Sequence, residues 1–177
     1  MKSLGKTLKG GEKELFKAIT DKDNHVTINT VRKDANVFFG SFDGKGKNTI
    51  DFGDVDLLDA PENAGEFSAA QVIGHETLEA YHSAINQTTV STDSHNFANQ
   101  FFGGLEGGTT VPNSTVFDKG NKNLLGYKVD FPINGRKGVN ARVTFEFQTP
   151  IPVTALQANK VKKGSQLVHV TKVEKSP

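Results

Sequence analysis

The segment Gly74-His75-Glu76-Thr77-Leu78-Glu79-Ala80-Tyr81-His82 constrains this chain more than any other. Ser68 and Gln71 precede it at the spacing of a capping box, with the serine side chain accepting from the backbone amide three residues on. The signal predicts a helix running from about residue 68 to about residue 85. On a helix each residue turns about 100° and rises about 1.5 Å. His75 and Glu79, four apart, therefore share a face and can chelate one ion. Glu76 sits one step round, beside that ion without competing for it. A carboxylate there is placed to take a proton from water held by the ion.

A third ligand is available downstream. The stretch 86–93 is polar and turn-like, and Asp93 or Ser94 is expected to cap a second helix carrying His95. His75, Glu79 and His95 then make two imidazoles and one carboxylate, the residue set of a catalytic zinc site. The familiar zinc-protease helix has histidine where Glu79 stands. Donors that are only nitrogen and oxygen suit Zn2+ best, and also accept manganese or nickel. His82 offers two further arrangements. It lies three residues from Glu79 and can hydrogen-bond that carboxylate from behind. Alternatively it joins Glu79 and His95 as a ligand, which leaves His75 and Glu76 without a role. Asp93 is another residue able to tune the ligands. Leu78, Tyr81 and Ile85 are expected in the core, and Tyr81 is also a candidate oxyanion donor.

The 177 residues suffice for one domain with a real core. There is no cysteine, so any metal must be held by His, Asp and Glu. Lys+Arg 21 against Asp+Glu 20 leaves a net charge of +1, which argues against a nucleic acid or an anionic membrane as partner. No run approaches the ~20 apolar residues of a membrane span. The N-terminus has no apolar core of a signal peptide, and the compartment stays open.

Elsewhere the pattern predicts a short helix at 12–19, then strands at 26–31, 37–42 and 49–58. Asp43-Gly44 reads as a hairpin turn and 61–65 as a loop. Asp51, Asp54, Asp56 and Asp59 lack calcium-loop spacing and read as a solvated strand face and turn caps. His25 and His169 are expected at the surface. Glycines at 103–104 and 107–108 should stop the second helix. Strands follow at 124–133, 139–148 and 167–173, with Asn134-Gly135 turning between the first two. The expected fold is α+β: a small mixed sheet packed on the central helix, with a β-rich C-terminal third in an antiparallel meander. Residues 1–177 read as one domain, with a core at about 11–108 and the β-rich part at about 123–175.

At His75, Glu76, Glu79, Ala80 and Tyr81, then His95 and Ala98, the chain resembles zincin-like metallopeptidase domains. It is similar in this to zincin-like toxin domains of bacterial polymorphic, Rhs-type secreted toxins. The likeness covers about residues 26–102. The resemblance implies a zinc-dependent hydrolase of peptide bonds, with His75, Glu79 and His95 on the metal and Glu76 as general base. It implies a protein or peptide substrate, a cognate immunity protein as partner, and export by a specialised route. It also implies that the strand preceding the helix lies at the cleft as an edge that pairs with extended substrate. The chain departs from the zincin pattern in having no histidine at position 79, no Gly-x-x-His continuation and no visible Met-turn. The competing reading is a non-catalytic binding module with a degenerate metal site. In that case the imidazoles would splay into separate solvent regions.

Overall fold

A computed structural model describes residues 10–34, 36–60, 67–105, 108–111, 114, 116–118, 123–133, 137–152 and 168–176. The fold is mixed α+β. Among the described residues there are four α-helices and two sheets. Helix α1 spans Gly11–Thr20, and strands β1 (Thr27–Val31), β2 (Gly40–Gly44) and β3 (Lys47–Asp51) follow. Next come the single-turn helix α2 (Phe52–Val55) and a 3₁₀ turn (Asp56–Asp59). Helices α3 (Ala69–Asn86) and α4 (Ser91–Phe102) form an antiparallel pair. The C-terminal third holds β4 (Thr109–Thr110), β5 (Val116–Asp118), β6 (Asn123–Pro132), β7 (Asn140–Pro152) and β8 (Val168–Lys175).

The first sheet has the order β1-β3-β2, with β3 parallel to β1 and antiparallel to β2. Helix α3 packs across it. The expected edge strand is thus corrected: β3 is central, and β2 is the edge that carries cleft residues. The expected strand at 49–58 also stops early, at Asp51. The Asp51 carboxylate accepts the backbone N–H groups of Lys33, Asp34, Gly53 and Asp54 at 2.8, 2.6, 2.7 and 3.2 Å. Four donors converging on one side chain cap α2 and end the ladder. Asp51 and Asp54 are buried, against the expected solvated face; Asp54 meets Lys33 Nζ at 3.3 Å.

The hairpin turn falls two residues beyond Asp43-Gly44. Lys45 and Gly46 both have positive φ, 49° and 81°, the pairing that a two-residue hairpin of right-handed twist requires. The capping box is present: Ser68 Oγ accepts from Gln71 N at 3.3 Å, and Gln71 Oε1 accepts from Ser68 N at 3.1 Å. Neither Asp93 nor Ser94 caps α4. That helix starts at Ser91 with Val90 at the cap position, and Ser94 is buried inside it. Ile85 is 45% exposed rather than core.

The second sheet runs β4-β6-β7-β8, with β5 also on β6, and every pairing is antiparallel. This is the expected meander. Asn134-Gly135, the loop at 61–65 and Gly107 lie outside the described residues. One apolar cluster joins the sheets: Phe39, Ile50, Val55, Leu58, Phe67 and Val72 pack with Val129, Val143, Phe145, Val170 and Val173. A second cluster, Ala18, Leu78, Tyr81, Ala98 and Phe102, glues α1, α3 and α4.

Candidate metal centre

Three of the side chains singled out from sequence converge. His75 and Glu79 come from successive turns of α3, and His95 faces them from α4. Their ligand atoms lie within 4.8 Å of one another. His75 Nε2 and His95 Nδ1 are 3.0 Å apart. Glu79 Oε2 is 3.9 Å from His75 Nε2, and Glu79 Oε1 is 3.7 Å from His95 Nδ1. Donor–metal bonds of zinc length give tetrahedral edges of about 3.3–3.4 Å, so the measured separations bracket the required size. The residues fit a divalent cation, and they converge rather than splay.

The surroundings fix the ligands. The His75 Nδ1–H donates to the Gly103 carbonyl at 2.6 Å, which leaves the Nε2 lone pair aimed at the cluster. Gly103 is the cap residue of α4, so helix end and imidazole orientation are set together. His75 and Glu79 are almost fully buried, while His95 is 36% exposed and forms the open side.

Glu76 is the fourth member. Asn48 of β3 donates through one amide nitrogen to Glu76 Oε2 at 2.6 Å and to Glu79 Oε2 at 3.2 Å. A Cβ on Gly40 of β2 would overlap the Glu76 carboxylate, so only glycine there leaves room for it. Burial, with the neighbouring Glu79 adding to it, pushes the Glu76 carboxyl up to about 8, against the lowering by Asn48. Burial likewise raises Glu79 to about 7. His75 is pushed down to about 4 by burial and by His95. Neutral imidazole and two carboxyls short of positive charge describe a pocket that favours a cation.

The remaining sequence candidates lie elsewhere. His82 does not reach Glu79: its Nδ1 is 3.2 Å from Ser94 Oγ, its Nε2 is 3.1 Å from Asn86 Nδ2, and its ring stacks on Phe97. Asp93 is exposed in the first turn of α4. Tyr81 points to the far side of α3, donates to Asp21 Oδ2 at 2.7 Å and sits in the helical core, not at an oxyanion position. Burial, then the bond to Asp21, raises its hydroxyl to about 12. His25 is exposed, as expected, and His169 is half-buried.

Sequence reasoning missed Asn48 and Gly40. The signal for Asn48 was a phase relation. It shares the buried face of β3 with Ile50, where an amide needs a polar partner. Gly40 carried no such signal, because its role depends on Glu76, more than thirty residues further along the chain.

The metal group, Glu76 and a set of apolar side chains line one cavity of about 410 Å³. Comparison with protein-family models, with curated proteins and with solved structures found no match to this chain.

Proposed function

We propose that this chain is a zinc-dependent metallopeptidase of zincin-like type, a bacterial toxin or effector domain that hydrolyses peptide bonds in a target protein. The observation that carries the reading is the convergence of His75, Glu79 and His95, with buried Glu76 lining the same cavity. The likeness at His75–Tyr81 and His95–Ala98 supports it. His75 Nε2, Glu79 and His95 Nδ1 would hold the ion, and the same donors accept manganese or nickel. A bound zinc ion supplies Lewis acidity, which lowers the pKa of water and polarises a carbonyl.

The chain's own part follows from its hydrogen bonds. Asn48 occupies Glu76 Oε2 and leaves Oε1 to accept a proton from water. The same oxygen can then return that proton to the leaving amine. Gly103 keeps His75 in the tautomer whose Nε2 can ligate. His95, on the open side, borders the approach of substrate.

The test compares wild type, His75→Ala and Glu76→Gln for metal content and for cleavage of a denatured proteome. Wild type should carry about one zinc per chain and cut. His75→Ala should lose the metal. Glu76→Gln should keep it and cut at least ~100-fold more slowly, the scale of a lost general base. Equal cleavage by Glu76→Gln would overturn the assignment even with zinc bound.

A further inference from the structure

The cavity lined by the candidate ligands and Glu76 is otherwise mostly aromatic and aliphatic. Phe39, Phe67 and Val72 are buried at 5%, 2% and 4% exposure and make a floor. Phe38, Phe42 and Leu105 are more open and make the rim. Among the described residues lining the cavity, the ionisable side chains are only His75, Glu76, Glu79 and His95. The volume, about 410 Å³, lies in the range of sites that enclose a ligand.

The rim is built at a conformational cost. In an extended strand, consecutive side chains point to opposite faces, so Phe38 and Phe39 could not both border one cavity. Here Gly40 N–H donates to the Phe38 carbonyl at 2.6 Å, closing a three-residue turn around Phe39. Phe39 takes φ 56°, a left-handed backbone that bulky side chains rarely adopt. The turn brings the two rings to 4.6 Å between centroids, and Phe38 packs onward, tilted, against Phe145 at 5.1 Å. Strain of this kind persists where the surroundings over-determine it, and it gathers at binding sites.

The geometry points to a specificity pocket: the substrate presents a large apolar side chain, aromatic or Leu/Met-like, next to the bond that is cut, seated against Phe38, Phe42 and Leu105. This rests on the peptidase reading. It excludes a charged side chain at that subsite, because burying one among these rings without a partner is costly.

The experiment digests a random-sequence peptide library with the Zn2+-loaded full chain and reads the residues flanking each cut by mass spectrometry. Phe, Tyr, Leu and Met should exceed Asp, Glu and Lys by about tenfold or more at one flanking position. Phe38→Ala and Leu105→Ala, both at partly open positions, should each cut that preference several-fold, with folding checked by circular dichroism. Cleavage without apolar bias, or a bias unchanged in both folded variants, overturns the pocket and leaves the peptidase reading standing. No cleavage of any peptide by zinc-loaded wild type overturns both.

Discussion

Replacing Asn48 with leucine separates the two things that this residue does for the site. Asn48 is fully buried, and its amide nitrogen is the shared donor to Glu76 and Glu79. Its Oδ1 is buried and has no hydrogen-bond partner among the described residues. Above about pH 8, where Glu76 carries its charge, leucine removes the donor at a cost of about 1.5–3 kcal/mol for a hydrogen bond to a charged group. It also removes the orphaned oxygen, which returns about 1–3 kcal/mol. Stability should therefore change by less than about 2 kcal/mol, a Tm change of no more than about 8 °C. Ionisation responds differently, because only the charged form of Glu76 gains from the donor. Losing about 1.5–3 kcal/mol of that preference raises the carboxyl by about one to two pH units. Burial already pushes the Glu76 carboxyl up to about 8. Carbon-13 NMR of side-chain carboxyls, on metal-free protein labelled at glutamate, reads this without any need for activity. The midpoint should move up by about one to two units in Asn48→Leu. A Glu76 titrating in the ordinary glutamate range, or one unmoved by Asn48→Leu, would refute the reasoning.

Three other outcomes are expected. Metal-free protein should lose stability as pH rises from about 5 to about 8. Glu76 and Glu79, raised from 4.5 to about 8 and about 7, hold protons in the folded state that the unfolded chain has released. Thermal melts in a chelator check this, and added zinc at a hundredfold over Kd should restore about 2.7 kcal/mol at neutral pH; a flat or rising profile would contradict it. Gly40→Ala should displace the Glu76 carboxylate, destabilise by about 1–3 kcal/mol and abolish cleavage while zinc still binds; full activity in that variant would show the contact to be slack. Tyr81→Phe should keep kcat/KM within about twofold, since oxyanion donors cost ~100-fold or more when removed; a loss on that scale would return Tyr81 to the site.

Legibility followed locality. The capping box, the His75–Glu79 spacing and the polar break after Asn86 are contained within a few turns, so α3 and its ligands could be read directly. His95 could be placed because a short loop forces α4 back along α3. The failures were non-local. Thr49 to Leu58 has strand-like residues, but Asp51 recruits backbone donors from Lys33 and Asp34, far back in the chain, and that ends the strand. His82 satisfies the spacing for Glu79, yet Ser94 and Phe97 on the neighbouring helix claim it. Asp93 looked like a cap because helix propensity cannot say which of several polar residues starts the turn. Tyr81 carried a functional alternative that only the direction of the helix face could remove.

The Phe38 ring rests on Phe131 of β6 and Phe145 of β7, at 5.4 and 5.1 Å. That support is made late. On the ribosome, His75, Glu79 and His95 are synthesised before either aromatic neighbour. At ordinary elongation rates the lag is on the order of seconds. A nascent chain can thus own all three candidate ligands while the rings that back Phe38 do not yet exist. The order of synthesis itself therefore sets the packing behind Phe38 as a late event, completed only when β7 has been translated and docked.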